Sequence, residues 1–469
     1  MANSEYVYTL VAEKGTKKTI GAPPMAIAEA KTPAVFWQGE SIAATLSLKK
    51  EHYARLAGLR GLRIEYEIQN VFEKAVARGD LPLDIASDKD ITLKVPLPVT
   101  KLGWYRAYFT VNDASGSLLE GKERLIFSVL KRQANMGESF DNQVQTDYTI
   151  GLGLMRVGVN PAKPDEAERI VKQRVKWAKG TDVNISYAID GSPVGNDPKR
   201  FGEVCQQLFD RVKENIPRIE IINEPNGRLQ PKEYVDTFLR PAYENVKKAS
   251  PDSRVVAPVM CGIGPDQARY LKELYQLGLK TLTDELSFHP YAGNFDDGSA
   301  VDSMQRLMDI INANGDSKKP IHFTESGYGH RGWSDVPAMR EIIKHAVSQY
   351  AWQNAVMGIT HQQNFYYFTD QMGYYDMWLR SRQLTPAAVA LRTYTGFVKG
   401  QERARRLDFG SLEAVRAFLY RGKERQVHLL CTRWPLGPKG KTLMPCRIMP
   451  YRQTWLIARV GFEPTTCRL

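Results

Sequence analysis

Arg218-Ile219-Glu220-Ile221-Ile222-Asn223-Glu224-Pro225-Asn226 is the stretch on which the fold turns. A short β-branched run ends in Asn-Glu-Pro, and an amphipathic helical pattern follows from Pro231, a good first-turn residue. Farther along, Pro320-Ile321-His322-Phe323-Thr324-Glu325-Ser326-Gly327 repeats the arrangement of strand run, carboxylate and loop. Carboxylates at the C-terminal ends of parallel strands are where a (β/α)₈ barrel keeps its chemistry. Two of them facing across one mouth are the equipment for cleaving a glycosidic bond.

Working outward, candidate strands alternate with helical patterns. The strands are Leu154–Val157, Asn184–Ile189, Ile219–Ile222, Val255–Val259, Leu286–Phe288, Ile321–Phe323 and a run from Ile359. Helices are expected from Pro231, from Gly264-Pro265 and from Val336-Pro337. The block 133–398 is close to the ~250 residues typical of a TIM barrel. If the strand near Ile359 is the eighth, the Asn223-Glu224-Pro225 strand is the fourth and the Thr324-Glu325 strand the seventh. The first strand is then expected near Asn135–Phe140.

Before this block, residues 1–132 read differently. Runs such as Ile42–Leu48, Leu62–Ile68, Ile91–Val95, Trp104–Val111 and Leu125–Leu130 alternate with period two. Turn residues, Asn112-Asp113 to Gly116, separate the last pair. The pattern predicts an immunoglobulin-like β-sandwich of structural or accessory role. Residues 399–443 read as a partial β-domain, including Ala414–Tyr420 and Val427–Leu430. Residues 444–469 are basic, show neither period, and read as an atypical tail.

Composition narrows the function classes. A chain of 469 residues with 43% hydrophobic and 25% charged residues is that of an ordinary globular protein of two or three domains. The charge of +12 suggests nucleic acid, yet residues 401–469 hold 14 Lys and Arg against 5 Asp and Glu. Nine of the twelve charges therefore sit in the last segment, and no recognisable basic module appears, so no nucleic-acid partner is expected. No run of 18 apolar residues occurs, so no membrane span is expected. The start, Met1 to Tyr6, lacks the features of a signal peptide, which implies a cytoplasmic protein, or a secreted one if the chain begins inside a longer parent. The five cysteines form neither a metal pattern nor a disulfide framework.

Three motifs in order, Asn223-Glu224-Pro225, His289-Pro290-Tyr291 and Thr324-Glu325-Ser326-Gly327, resemble those of the clan A glycoside hydrolases. That superfamily carries its acid on strand four and its nucleophile on strand seven. It includes cellulases, mannanases, β-xylosidases, arabinofuranosidases and iduronidases, and the resemblance spans roughly residues 135–400. It implies a retaining O-glycosyl hydrolase, acting by double displacement on plant-type or microbial polysaccharides or oligosaccharides, with no cofactor or metal. Carried onto this chain, Glu224 is the general acid/base, with a carboxyl expected to be raised, and Glu325 is the nucleophile. Asn223 would bind a sugar hydroxyl, Tyr291 would donate to Glu325, and Arg156 would stand near the nucleophile. His289 belongs to the strand-six motif. His361 ends strand eight where the family usually has a stacking tryptophan, and Tyr328 and Trp333 are loop aromatics able to stack on sugar rings.

Each motif also has a plain reading. Asn-Glu-Pro can be a strand end with a helix-starting proline, Thr-Glu-Ser-Gly a turn, and the histidine a satisfied core residue. Metal-dependent hydrolysis would want His-x-His near strand one, which none of the seven histidines supplies. A catalytically inactive glycan-binding or structural barrel is the remaining alternative.

Overall fold

Six short, largely buried strands pair side by side in sequence order, and this sheet positions the candidate site. In the computed structural model the described residues are most of 25–290, then 299–325, 350–358 and 383–399, with short strand segments elsewhere between 9 and 467. The chain is a mixed α/β protein. Its N-terminal strands are β1 (Met25–Glu29), β2 (Val35–Trp37), β3 (Ala43–Leu48), β4 (Arg63–Asn70), β5 (Ala75–Pro82), β6 (Ile91–Pro96), β7 (Gly103–Asn112) and β8 (Glu123–Leu130). They form one sheet of order β2-β8-β7-β4-β5 and another of order β1-β3-β6.

The period-two pattern explains both faces of the larger sheet. Along β8, Leu125, Phe127 and Val129 point into a core shared with Ala44, Leu46, Leu48 and Val95 of the smaller sheet. The alternate residues Ile126 and Leu130 join a second core with Trp37, Trp104 and the residues of the parallel sheet. The Trp104 indole N–H donates to the Leu384 carbonyl at 2.9 Å. The guanidinium of Arg392 lies 5.1 Å from the Trp37 ring centre and donates to the Lys131 carbonyl at 3.1 Å. The expectation of half-buried strands therefore understates β7 and β8, which are covered on both sides. Strand β5, a mostly exposed edge, escaped the pattern because edge strands need no apolar face.

The parallel sheet consists of β9 (Leu154–Gly158), β10 (Asn184–Ile189), β11 (Arg218–Ile221), β12 (Arg254–Cys261), β13 (Glu285–His289) and β14 (Ile321–His322), in that spatial order. All neighbours are parallel, so the sheet is a curled partial barrel consistent with a TIM-like fold. Helices α1 (Gln143–Ile150), α2 (Pro164–Ala178), α3 (Pro198–Val212), α4 (Arg240–Ala249), α5 (Pro265–Gln276), α6 (Ser299–Ala313) and α7 (Pro386–Val398) accompany it. Proline opens α2, α5 and α7, where its missing N–H costs nothing. Among the described residues no helix is long and apolar enough to cross a membrane.

Two expectations change here. The described part of 135–140 is not a strand but an irregular lead into α1. Asn142 caps that helix by accepting from the Gln145 N–H at 3.1 Å, and Ser139 bonds Asp141 at 2.6 Å. Gly137, Ser139, Asp141 and Asn142 are capping and turn residues, and that chemistry overrides the weak strand reading. C-terminally, β15 (Arg405–Leu407), β16 (Val415–Arg421) and β17 (Gln426–Thr432) pair as an antiparallel ladder. The tail, however, adds β18 (Trp455–Ile457), parallel to β17, and β19 (Thr466–Cys467). Strands of two or three residues are too short for a period to register. The strand near Ile359 and the helix from Val336-Pro337 lie outside the described residues.

Candidate active site

The end of β11 is bent sharply to present Glu224. Ile222 and Glu224 take φ of 61° and 49°, the left-handed region in which a side chain is strained. Each such residue costs on the order of 1–3 kcal/mol and persists only where its surroundings dictate it. Here they do. The Glu224 N–H donates to the Val259 carbonyl at 2.8 Å. The Asn226 side chain brackets Cys261, donating to its carbonyl at 2.9 Å and accepting from its N–H at 2.8 Å. Arg228 ties the turn to β10 by donating to the carbonyls of Asp190 at 2.6 Å and Asn223 at 3.0 Å.

Strands β13 and β14 supply the facing wall. His289, last residue of β13 and fully buried, meets Glu224 through Nδ1 at 2.9 Å. The same nitrogen is 3.5 Å from Glu325 Oε2, and Nε2 meets Thr324 Oγ1 at 3.2 Å. Thr324 in turn shares a 2.7 Å bond with Ser287. One carboxylate oxygen of Glu224, one of Glu325 and a ring nitrogen of His289 lie within 4.8 Å of one another.

Arg156, on β9, organises the floor. Its Nη1 donates to Glu325 Oε1 at 2.5 Å and its Nε to Glu220 Oε2 at 2.6 Å. Its Nη2 reaches Asp190 Oδ1 at 2.9 Å and Asn223 Oδ1 at 3.1 Å. Glu220 is wholly buried and accepts a further bond from Ser186 at 2.5 Å. Burial alone would weaken the guanidinium's hold on its proton, but the charges of Glu220, Glu325 and Asp190 more than offset this and raise its pKa.

The electrostatics of Glu224 run against expectation. The hydrogen bond from His289 holds its carboxyl below the usual carboxylate range. Burial opposes that, and the His289 and Arg156 charges and Cys261 add to the lowering. Cys261 stands beside it with its thiol pushed up to about 11, by burial first and then by the charges of Glu224 and Glu325. The thiol therefore stays protonated at neutral pH.

Of the sequence-predicted residues, Glu224, Glu325, Asn223, His289 and Arg156 come together at one end of the sheet. Tyr291, Tyr328, Trp333 and His361 lie outside the described residues. Sequence reasoning missed Glu220, Asp190 and Cys261. Glu220 carried a usable signal, since a carboxylate inside a β-branched parallel strand is buried on both faces and must find a partner.

Glu224, His289 and Glu325 are also spaced as metal ligands could be. The guanidinium on Glu325 disfavours that use, because it already neutralises the carboxylate a cation would need. The donor set fits proton transfer and nucleophilic attack better than cation binding.

No protein-family model matches the chain, and no curated protein matches it. Among solved structures it is similar to a β-glucuronidase of Bifidobacterium dentium, at 14% identity and a TM-score of 0.40 over 80% of this chain and 66% of that one. It is similar to a β-glucuronidase of Parabacteroides merdae, at 11% identity and a TM-score of 0.36 over 86% of this chain and 58% of that one. A monomeric β-xylosidase of Caulobacter crescentus matches at 14% identity and a TM-score of 0.39, over 58% of this chain and 72% of that one. The chain spans less than two thirds of the glucuronidases it matches. Likeness this distant leaves substrate and mechanism to the chemistry of the site.

Proposed function

We propose that the chain is a retaining O-glycosyl hydrolase whose nucleophile is Glu325 and whose general acid/base is Glu224. The observation that carries the reading is the pair itself, with one oxygen of each carboxylate within 4.8 Å of the other at one end of a parallel sheet. Retaining enzymes hold their carboxyl groups about 5–5.5 Å apart, whereas inverting ones leave about 6.5–9.5 Å for a water. In this reading residues 133–398 form a complete (β/α)₈ barrel, residues 1–132 an immunoglobulin-like sandwich, and 399–443 a partial β-domain with 444–469 appended to it.

In the first step Glu224 gives its proton to the glycosidic oxygen while Glu325 attacks the anomeric carbon. The carbon–oxygen bond to the leaving group breaks and a glycosyl ester forms on Glu325. In the second step Glu224 takes a proton from water, whose oxygen displaces the ester with a second inversion, so configuration is retained. Arg156 orients Glu325 for attack through the 2.5 Å hydrogen bond from Nη1, and Asn223 offers its amide to a sugar hydroxyl. The first step needs a proton on Glu224, which His289 discourages in the free site. A sugar in the cleft would strip water from this partly exposed carboxyl, and that desolvation raises it. The substrate class is an O-glycoside of a plant-type or microbial polysaccharide or oligosaccharide. Tyr291, Tyr328, Trp333 and His361 complete the sugar-binding surface in this reading, with no cofactor.

A panel of chromogenic aryl glycosides, assayed with wild type and Glu325→Ala in parallel, tests the proposal. Turnover by wild type alone, with the product's anomeric configuration retained by NMR, is the expected result. Absence of turnover across the panel would favour an inactive glycan-binding barrel, and inverted product would refute the mechanism.

A further inference from the structure

Glu220 is a buried carboxylate that the two-glutamate chemistry does not use. It sits on β11, four residues before Glu224, with none of its surface open to solvent. Both of its oxygens are engaged, one by Ser186 Oγ at 2.5 Å and the other by Arg156 Nε at 2.6 Å. The same guanidinium reaches Glu325 through Nη1 at 2.5 Å. Arg156 is therefore a rigid fork with Glu220 gripping its root and Glu325 one of its tips. The planar guanidinium is held at Nε by Glu220 and at Nη2 by Asp190 and Asn223, and of these anchors Glu220 alone is wholly buried, so it contributes directly to where Nη1 points.

We infer that Glu220 is a positioning residue for the nucleophile: it aims Arg156 at Glu325 and, by sharing the guanidinium's charge, keeps Glu325 reactive toward the anomeric carbon. The inference rests on the glycosidase reading and extends it to a residue that touches neither substrate nor leaving group. Without the competing charge of Glu220, Arg156 would hold the Glu325 carboxylate more tightly. A carboxylate so held attacks more slowly and leaves the glycosyl ester more readily.

That asymmetry separates positioning from mere support of the fold. Glu220→Gln keeps the shape, because its amide oxygen can accept from Arg156 Nε while its amide N–H donates to Ser186 Oγ. With an activated aryl glycoside, for which hydrolysis of the ester limits turnover, kcat should hold or rise. kcat/KM, which reports formation of the ester, should fall roughly tenfold, so KM rises. Ser186→Ala retains both charges and loosens one of the two anchors of Glu220. It should lower kcat/KM about threefold with the melting temperature nearly unchanged. A Glu220→Gln enzyme with wild-type constants would overturn the inference. So would one with kcat reduced at unchanged KM, the signature of a smaller active fraction. Wild-type kinetics in Ser186→Ala would overturn the anchoring role. A wild type that hydrolyses no glycoside would bring down this inference together with the glycosidase reading. An active wild type silenced by Glu325→Ala, but indifferent at Glu220, would bring down this inference alone.

Discussion

Glu285 opens β13 at the end of the strand opposite His289, and its removal should change how the protein meets acid. Its carboxylate accepts from Arg218 Nε at 2.6 Å and meets His322 Nε2 at 2.8 Å; His322 lies on the adjacent β14 and Arg218 on β11, reaching across β12. Burial pushes its carboxyl up, but the bonds and charges of His322 and Arg218 together outweigh burial and bring it from 4.5 to about 2. A carboxyl depressed by folding contributes stability that is fully present above its unfolded value. That stability drains away as pH falls from about 4.5 through about 2. Each tenfold in the ionisation constant corresponds to about 1.4 kcal/mol, so the interval is worth roughly 3 kcal/mol at neutral pH. Glu285→Gln leaves Arg218 buried against a neutral partner and should cost about that amount at pH 7. Urea unfolding followed by circular dichroism at pH 7, 5, 4 and 3 provides the measurement. The gap between wild type and variant should be widest at pH 7 and narrow steadily below pH 4.5. A gap that stays constant down to pH 3 would refute the reasoning, because the group would then be contributing shape and not charge.

Other outcomes follow from the same structure. Glu325→Ala should abolish glycosyl-enzyme formation on every substrate. Glu224→Ala should suffer most with poor leaving groups and recover turnover with retained configuration when azide is added. Rescue of Glu325→Ala with retention would reverse the assigned roles. Asp147, fully buried on α1 with neither carboxylate oxygen hydrogen-bonded, is pushed well above the usual carboxylate range by burial, and the Arg174 charge only partly offsets this. Its contribution is present below the unfolded value of 3.8 and is lost as pH rises, so Asp147→Asn should raise the melting temperature at pH 7 but not at pH 3.5, read by calorimetry. Gly151 caps α1 at φ 88°, and an added Cβ would strike the Thr395 side chain. Gly151→Ala should therefore cost about 2 kcal/mol or more in a denaturant titration. Deleting residues 444–469 should move the melting temperature by no more than about 2 °C, since no periodic apolar face is lost. The same deletion strips β18 from the edge of β17 and should increase light scattering on storage.

The parallel sheet was legible because its strands are buried runs of Val, Ile and Leu separated by helices with proline starts. The spacing of Asn223-Glu224-Pro225, His289 and Thr324-Glu325 then put three strand ends in one place. Two kinds of feature stayed hidden. The non-strand lead into α1 turned on capping by Asn142, a local hydrogen bond that a hydrophobic pattern does not encode. The lowered carboxyl of Glu224 turned on which side chain its neighbour faced, since His289 Nδ1 meets Glu224 more closely than Glu325. Asp190, just past β10, and Cys261, the last residue of β12, carried no signal at all, because nothing in their local sequence shows that the curl of the sheet brings them to the carboxylates.

The two-faced sheet of β7 and β8 also sets a timetable for synthesis. Ile126, Leu130, Trp37 and Trp104 are complete before the parallel sheet exists, yet their final cover includes α7 and the carbonyl of Leu384. About 250 residues separate Leu130 from that cover, and at ~5–20 residues per second the ribosome needs roughly ten to fifty seconds to supply it. During that interval one side of the finished sheet offers an apolar surface with two tryptophans to whatever is nearby. Nascent chains of this protein should therefore be clients of chaperones that shield apolar surface, with dependence falling once residue 398 has emerged.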